Sequence, residues 1–363
     1  MPNHNPPFPI QVLVVDDSAV VRQVMQSILS QEPDMAVTVA ADPLIAMNKM
    51  KQTRPHVVLL DLEMPRMDGL TFLRKIMTED PIPTLVCSGV AGKGTDKALW
   101  AMDEGALGIV TKPRIGVSNF LHESAVMLID MVRAAAGARI RRLSRSTVAR
   151  PQSTLPLPQP RPRRPHISSR RVVAIGASTG GTEALTEILT AMPKDSPGIV
   201  IVQHMPEVFT AAFAQRLNQM SQIEVKEAEP GDLISPGRAL IAPGNRHMSV
   251  TRHGEQFFVE IYDGPLISRH RPSVDVLFRS VAQAAGADGL GIILTGMGND
   301  GAQGLLEMKK SGAETVAQDE ASCVVFGMPK EAIACGAVDL VLPLSNIPAT
   351  ISAASRSVVR QEA

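Results

Sequence analysis

The amino-terminal part of the chain repeats one unit several times: a short apolar run, a polar residue after it, and then apolar residues at helical spacing. The run at 10–15 is the first, and Val20, Val21 and Val24 then recur at the period of a helix. Similar apolar runs cover 36–40, 57–60, 84–87 and 108–111. Strands and helices that alternate in this way predict an α/β fold with a doubly wound parallel sheet.

Polar residues stand at the ends of four of these predicted strands: Asp16 and Asp17, Asp61, Ser88, and Lys112. Ligands of a doubly wound sheet gather at the carboxyl ends of its strands, so these residues are expected at one place. Three carboxylates together favour Mg²⁺, which prefers oxygen ligands and bridges readily to phosphoryl groups. A single acid after a strand is usually a solvated loop residue, but recurrence at successive strand ends favours a phosphoryl site.

A second feature is Gly176-Ala177-Ser178-Thr179-Gly180, which follows an apolar run and precedes a helical pattern. It fits G-x-S-x-G, in which a serine lies on a tight turn between strand and helix, where free amides can hold an oxyanion. Two other interpretations are a helix cap at Ser178 and a dinucleotide-binding G-x-G-x-x-G turn. The dinucleotide interpretation is disfavoured because Ser178 replaces the middle glycine and Gln203-His204 replaces the ribose-binding acid.

A serine nucleophile needs a base, and the base needs a partner that fixes its tautomer. His204 follows a predicted strand at 198–202, and Asp300 lies in the turn after a predicted strand at 289–294, so both stand past strand ends, as Ser178 does. A strand at 240–243 and an antiparallel hairpin formed by 248–251 and 256–262 are also predicted here. The residues alone leave competitors for the base and the acid: His247, His253 and His270, and Asp275 and Asp319.

The two halves are separated by a segment, 139–171, with ten arginines, six prolines and no acidic residue. Prolines and repelling charges predict a tether that builds no core. The predicted division of the chain is a tail at 1–9, a first domain at 10–129, the linker at 130–170, a second domain at 171–355 and a tail at 356–363.

Composition restricts the classes of function. The net charge is zero, and the basic linker has no aromatic residues for stacking, so no specific nucleic-acid partner is expected. The three cysteines, Cys87, Cys323 and Cys335, lack the spacing of a disulfide scaffold or zinc site. Without a signal-like start or an apolar run of membrane length, a cytoplasmic protein without membrane insertion is expected. The stretch 92–95 resembles a phosphate loop but lacks its first glycine, so no nucleotide site is predicted there.

The first domain resembles a response-regulator receiver domain, through Val14-Val15-Asp16-Asp17-Ser18, Leu60-Asp61-Leu62-Glu63-Met64-Pro65 and Thr111-Lys112-Pro113. The resemblance implies a flavodoxin-like fold and an Asp61 that accepts a phosphoryl group from a histidine kinase. It also implies a switch hydroxyl at Ser88 and a phosphoryl partner at Lys112. The implied Mg²⁺ ligands are Asp16, Asp17, Asp61 and the backbone carbonyl of Glu63. Ile109 departs from the aromatic residue that many receivers carry, so signalling through a rotating ring is not expected.

The whole order of receiver, linker and serine-bearing α/β domain resembles the chemotaxis response-regulator protein-glutamate methylesterases. The motifs are Gly176 to Gly181, Gln203-His204-Met205, Pro272-Ser273-Val274-Asp275, Thr295 to Gly301 and Ala317-Gln318-Asp319-Glu320. The resemblance implies a Rossmann-like second domain with Ser178 as nucleophile, His204 as base and Asp300 as orienting acid. It further implies oxyanion donors in the backbone amides near Thr179 and Met297, and no cofactor for the esterase step.

That family hydrolyses glutamyl methyl esters on chemoreceptors, and many members also deamidate receptor glutamines. Its receiver covers the esterase cleft until Asp61 is phosphorylated. The chain is therefore expected to act on methyl-accepting chemoreceptors. Two alternatives are a paralogous esterase in a non-chemotactic signalling array and a DNA-binding response regulator, although no basic recognition helix is apparent in the second half.

Overall fold

The structure is a computed structural model that describes residues 9–89, 94–112, 118–139 and 171–354. The expected tail at 356–363, most of the tail at 1–9, most of the expected linker and half of the stretch 92–95 lie outside these residues. Within the described ranges, no helix is long and apolar enough to cross a membrane.

The first domain is a five-stranded parallel sheet flanked by helices, as predicted. Its strands are β1 (Ile10–Val15), β2 (Met35–Ala40), β3 (Val57–Asp61), β4 (Thr84–Ser88) and β5 (Gly108–Thr111). Its helices are α1 (Ala19–Leu29), α2 (Pro43–Gln52), α3 (Gly69–Glu79), α4 (Gly94–Asp103) and α5 (Ser118–Ala136). The strand order β2-β1-β3-β4-β5 is that of a flavodoxin-like sheet, so its switch point lies between β1 and β3, where Asp16 and Asp61 emerge.

Local sequence explains these elements. Every residue of β3 is buried, because parallel strands covered by helices on both faces are apolar throughout. Ser18 caps α1 by accepting from the Val21 amide, and Asp42 caps α2 ahead of a proline at its first turn. The expected boundary at 129 falls inside α5, which continues to Ala136. Val132 and Ala135 are buried in the receiver core, so the helix extends further than the composition shift indicated.

The second domain contains a seven-stranded parallel sheet and a small antiparallel sheet. The parallel strands are β6 (Val172–Ala177), β7 (Gly198–Gln203), β8 (Glu224–Glu227), β10 (Arg238–Ile241), β13 (Gly289–Ile293), β14 (Glu314–Gln318) and β15 (Leu340–Leu342). The antiparallel strands are β9 (Leu233–Ile234), β11 (His247–His253) and β12 (Gln256–Tyr262). The predicted hairpin is thus present as β11 and β12, and β9 adds a third strand beside β12.

The helices of the second domain are α6 (Gly181–Thr190), α7 (Glu207–Met220), α8 (Val274–Ala285), α9 (Ala302–Lys310), α10 (Met328–Ala334) and α11 (Ile347–Ala354). The parallel strand order is β15-β14-β13-β6-β7-β10-β8. The chain therefore reverses direction across the sheet at β6, which is the switch point where a doubly wound fold forms its cleft. The register pairs Gly176 with Val202 and with Ile293, so the segments after β6, β7 and β13 leave the sheet at one level.

The receiver lies on the carboxyl edge of this second sheet. Helix α4 packs against α6 and α7, and apolar contact is continuous from the receiver into the second domain. Arg216 on α7 donates to the Leu99 carbonyl at 3.2 Å and pairs with Asp103. The amide of Gly180 donates to the Leu107 carbonyl at 3.4 Å, so the backbone just after Ser178 contacts the receiver directly.

Candidate active site

Ser178 lies on the turn between β6 and α6. Its amide donates to the Thr295 carbonyl at 3.0 Å, which ties the turn to the segment after β13. Gly180 adopts the left-handed conformation with φ 77°, which suits glycine because it has no Cβ. Gly181 starts the helix where a Cβ would lie 2.1 Å from the amide oxygen of Gln203. The glycines therefore allow the serine turn to pack closely against β7.

His204 follows β7, the neighbour of β6, and its amide donates to the Ala177 carbonyl at 3.0 Å. Its Nε2 atom lies 2.9 Å from a carboxylate oxygen of Asp300, and both side chains are buried. Nδ1 of His204 is buried without a hydrogen-bond partner among the residues that the structure describes. The ring is thus held through Nε2, and Nδ1 makes no hydrogen bond to Ser178 in this arrangement.

Asp300 is held by the start of α8 as well as by His204. One carboxylate oxygen accepts from the Ser273 hydroxyl at 2.7 Å and the Asp275 amide at 3.0 Å, and the other accepts from the Val274 amide at 2.8 Å. Burial alone would raise the pKa of Asp300, but the bonds to His204 and these backbone donors hold it below its ordinary value. The carboxyl group is therefore ionised at neutral pH and fixed in place.

His270 stacks on the proposed base. The two imidazole rings lie 3.7 Å apart and 4° from parallel, and Nδ1 of His270 is bonded to the Ser268 carbonyl at 2.7 Å. Burial and the neighbouring His204 lower the pKa of His270 to about 3. Sequence reasoning named His270 only as a competing base. In the structure its uncharged imidazole lines the site and packs flat against the imidazole of His204.

The other competitors lie elsewhere. His247 is buried with both nitrogens engaged, by the Pro265 carbonyl at 2.8 Å and the Ser273 amide at 3.3 Å. His253 is exposed at the end of β11. Asp275 accepts from the Gly304 amide at 2.7 Å, and Asp319 bonds to Ser322. These positions leave His204 and Asp300 as the bonded pair nearest the serine turn.

Three further groups complete the site. The backbone amides of Thr179 and Met297 donate no hydrogen bond within the described chain, and both residues line the same cleft as Ser178. The side-chain Nε2 of Gln203 donates to the backbone carbonyls of Ser178 and His204 at 2.9 and 3.0 Å. Gln203 therefore ties the serine turn to the histidine, a role that its motif position alone did not reveal.

Receiver residues close one side of the cleft. Ile109 of β5 and Met127 and Met131 of α5 border the same space as Ser178 and His204. A neighbouring cavity of about 160 Å³, which Ser178 also lines, lies between α5 and the turn that carries Met297. In this arrangement Ser178 shares its cleft with side chains of β5 and α5 of the receiver.

The predicted phosphoryl site lies at the carboxyl edge of the receiver sheet. The Lys112 ammonium lies 2.7 Å from Asp61 and 2.9 Å from Asp16, and Ser88 is buried at the end of β4. Carboxylate oxygens of Asp16, Asp17 and Asp61 lie within 4.8 Å of one another. Burial raises the pKa of Asp61, although Lys112 opposes the shift, while hydrogen bonds to the two carboxylates raise the pKa of Lys112 despite burial.

Glu63 lies two residues after Asp61 in the chain. Its amide donates to an Asp61 oxygen at 3.1 Å, so its backbone lies beside the carboxylate group, while its side chain points out towards Lys97. The oxygen-rich donor set fits a hard cation such as Mg²⁺.

Comparisons with known proteins identify both halves. Residues 12–119 match the response regulator receiver domain family, and residues 173–351 match the CheB methylesterase family. The chain is 55% identical to protein-glutamate methylesterase/protein-glutamine glutaminase 5 of Anaeromyxobacter dehalogenans, over 94% of this chain and 95% of that protein. It is 56% identical to protein-glutamate methylesterase/protein-glutamine glutaminase 2 of Pseudomonas syringae pv. tomato, over 93% and 97%.

Among solved structures, the Thermotoga maritima CheB methylesterase catalytic domain matches with 40% identity and a TM-score of 0.49, over 50% of this chain and 97% of that one. The similarity to the curated relatives extends through receiver and catalytic domain together, at nearly full length on both sides. The chain therefore belongs to the family of CheB protein-glutamate methylesterases with an amino-terminal receiver domain.

Proposed function

We propose that this protein is a phosphorylation-activated methylesterase that hydrolyses glutamyl methyl esters on methyl-accepting chemoreceptors in the cytoplasm. The observation that carries the proposal is the convergence of Ser178, His204 and Asp300 at the ends of three adjacent strands, with His204 bonded to Asp300 at 2.9 Å. The names of the relatives add glutamine deamidation, in which the same nucleophile would release ammonia.

In the proposed reaction, the Ser178 hydroxyl attacks the ester carbonyl while Nδ1 of His204 takes its proton. Nδ1 is the available nitrogen because Nε2 is bonded to Asp300. The ionised Asp300 stabilises the imidazolium, and its bonds to the start of α8 keep it from moving. The amides of Thr179 and Met297 are free to hold the oxyanion of the tetrahedral intermediate.

Collapse of this intermediate breaks the bond to the methoxy group, which leaves as methanol with the proton from His204. The acyl-enzyme ester on Ser178 remains. Water then attacks its carbonyl carbon while His204 takes one proton, and that proton returns to Ser178 as the bond to Ser178 breaks. The glutamic acid side chain that departs loses its remaining proton to solvent. These steps use side chains and backbone groups of the chain alone, so the esterase chemistry requires no cofactor.

We infer that the receiver controls access to this site. Its β5 and α5 border the cleft, and Lys112, which pairs with Asp61, follows β5 directly. A phosphoryl group on Asp61, supplied by a histidine kinase, adds charge that Lys112 and the Ser88 hydroxyl are placed to bind. The change in contact free energy between the two receiver states then determines how far the cleft opens.

Mg²⁺ would be held by Asp16, Asp17, Asp61 and the backbone carbonyl of Glu63. When bound, the ion would supply positive charge that neutralises the phosphoryl group during its transfer. The Glu63 amide orients one Asp61 oxygen, and Lys112 provides a second positive charge beside the other.

The test is methanol release from methylated receptor by wild type, Ser178→Ala and Asp61→Asn, each with and without an acyl phosphate donor and Mg²⁺. We expect no release by Ser178→Ala, and stimulation by the donor in wild type but not in Asp61→Asn. Wild-type release by Ser178→Ala would contradict the serine mechanism. Loss of adaptation by a deletion strain in a swimming assay would separate a chemotactic role from another signalling array.

A further inference from the structure

Each proposed oxyanion donor shares a planar peptide group with the carbonyl of the residue before it. The Thr179 amide shares one with the Ser178 carbonyl, and the Met297 amide shares one with the Gly296 carbonyl. In a trans peptide the N–H points opposite to the C=O, so a partner that fixes the carbonyl also fixes the direction of the amide. We propose that Gln203 is a positioning residue of the esterase, whose side chain holds the Ser178 carbonyl and thereby orients the Thr179 amide towards the oxyanion. This inference rests on the methylesterase function proposed above and adds a residue to its mechanism.

The Ser178 carbonyl accepts hydrogen bonds from two different parts of the chain. The Gly181 amide donates to it at 2.8 Å, and Nε2 of Gln203 donates to it at 2.9 Å. Hydrogen bonds that follow one another through a polar group polarise each other, so a bond accepted by the carbonyl strengthens the amide on the same peptide group as a donor. Gln203 therefore influences both the direction and the strength of the Thr179 amide.

The side chain of Gln203 can satisfy its neighbours in one orientation. Both of its partners, the carbonyls of Ser178 and His204, are acceptors, so the NH₂ group must face them. Oε1 has no hydrogen-bond partner among the described residues and lies beside Gly181, where a Cβ would come within 2.1 Å of it. Every side-chain hydrogen bond of Gln203 within the described chain thus goes to the turn of the nucleophile or to the base.

The second oxyanion donor is held in the same way by the main chain. The Gly296 carbonyl accepts from the amides of Gly327 and Met328 at 3.0 and 2.8 Å. A Cβ at Gly327 would lie 2.6 Å from that carbonyl oxygen, so glycine permits the close approach here, as Gly181 does beside Gln203. Of these four donors to the two carbonyls, Gln203 is the one that uses its side chain. It is therefore the donor that a substitution can remove.

The serine turn keeps other contacts when Gln203 is replaced. The Ser178 amide donates to the Thr295 carbonyl at 3.0 Å, and the Thr295 hydroxyl lies 3.0 Å from the Thr179 carbonyl. The bond from the Gly181 amide to the Ser178 carbonyl also remains. Loss of the Gln203 donor should therefore loosen the orientation of one peptide group without unfolding the turn.

The experiment uses the full-length protein with acyl phosphate and Mg²⁺, and measures methanol release from methylated receptor. Gln203→Met keeps an unbranched side chain without a donor, and Gln203→Glu keeps the shape but replaces the NH₂ group by oxygen. The control Ser280→Ala removes a hydroxyl that accepts from the Val250 amide at 2.8 Å, where α8 packs against β11. Thermal unfolding of each sample reports its stability.

We expect both Gln203 variants to lower kcat about ten- to hundredfold, somewhat less than removal of an oxyanion donor. KM should stay within about twofold of wild type, because the oxyanion exists in the transition state and not in the bound ester. The pH at which Gln203→Met reaches half of its maximal kcat should match wild type, since the bond between His204 and Asp300 is unchanged. Ser280→Ala should unfold at lower temperature and keep kcat within about twofold of wild type.

The amide resonances give a readout that a change in stability alone would not move. In ¹⁵N–¹H spectra, Gln203→Met should shift the Thr179 resonance, because its peptide group loses a hydrogen bond at the carbonyl. The Met297 resonance should stay in place, because the partners of the Gly296 carbonyl are unchanged.

Three results would overturn the proposal while wild type remains active and the methylesterase function stands. They are a folded Gln203→Met or Gln203→Glu protein with kcat within about twofold of wild type, an unmoved Thr179 resonance, and a rise in KM at unchanged kcat, which would assign Gln203 to substrate binding. Failure of wild type itself to release methanol would refute the methylesterase function, and the positioning role with it.

Discussion

Replacement of Asp300 by asparagine removes the charge of the proposed acid while keeping its shape. The two carboxylate oxygens accept four hydrogen bonds, from His204, the Ser273 hydroxyl and the amides of Val274 and Asp275. In asparagine one oxygen becomes an NH₂ group, which donates and cannot accept. At least one buried backbone amide then loses its acceptor, and the imidazolium of His204 loses its negative partner.

The magnitude follows from these two losses. Loss of the charged partner of the base in a serine hydrolase lowers kcat by about 10³- to 10⁴-fold, or about 4–5.5 kcal/mol of transition-state stabilisation. A buried backbone amide without an acceptor lowers the free energy of unfolding by about 1–3 kcal/mol. Asp300→Asn should therefore fold with reduced stability and be nearly inactive.

The assay is methanol release under phosphodonor stimulation, with thermal unfolding measured on the same samples. Asp319→Asn is the matched control, because Asp319 also follows a strand of this sheet but its carboxylate accepts hydrogen bonds only from Ser322 among the described residues. We expect Asp319→Asn to retain kcat within a few-fold. A folded Asp300→Asn protein with more than a tenth of wild-type kcat would refute the assignment of Asp300 as the orienting acid.

Two further predictions concern other parts of the chain. Gly69→Ala would place a Cβ 2.1 Å from the Asp61 carbonyl oxygen, so the end of β3 must shift. We expect denaturation to show a loss of about 1–3 kcal/mol in receiver stability, and phosphoryl uptake to show slower phosphorylation of Asp61. The control Gly137→Ala, whose Cβ would meet no atom beyond its chain neighbours nearer than 3.8 Å, should behave as wild type. The pKa of His270 falls from 6.5 unfolded to about 3 folded, so the unfolded chain binds the proton first and stability decreases as pH drops below 6.5. Denaturant unfolding at several pH values should show wild type losing up to about 1.4 kcal/mol per pH unit more than His270→Gln in this range, and parallel curves would contradict the buried, neutral state of His270.

The sequence predicted the fold class because the relevant signals are local. Apolar runs that end at Asp16, Asp61 and Lys112 indicated the strands and the edge where their side chains meet. The short edge strands β8 and β15 were not predicted, since β8 is mostly charged and β15 is largely exposed, and neither carries the buried-strand pattern. Within the candidate site, strand-end positions pointed to Ser178, His204 and Asp300 but left several competitors.

Other features could not be read from the sequence because they depend on packing between distant segments. The stacking of His270 on His204 and the use of Nε2 towards Asp300 require the positions of three loops at once. The ion pair of Arg269 with Asp130 joins residues 139 positions apart in different domains. Ser273, at the start of α8, could have been found as a helix cap, since a serine precedes the helical pattern there.

The hydrogen bond from the Gly180 amide to the Leu107 carbonyl has a genetic consequence. Both groups belong to the main chain, which every amino acid except proline retains in full. Most missense changes at Leu107 therefore leave the acceptor in place, whereas a Cβ at Gly180 would lie 2.6 Å from Val324 and shift the donor. We expect constitutively active alleles to arise mainly at codons for interface side chains. Changes at codons 107 and 180 should act by altering how the two domains pack against each other. The restraint that we propose the receiver exerts on the esterase thus has a main-chain component, whose acceptor at Leu107 most point mutations do not delete.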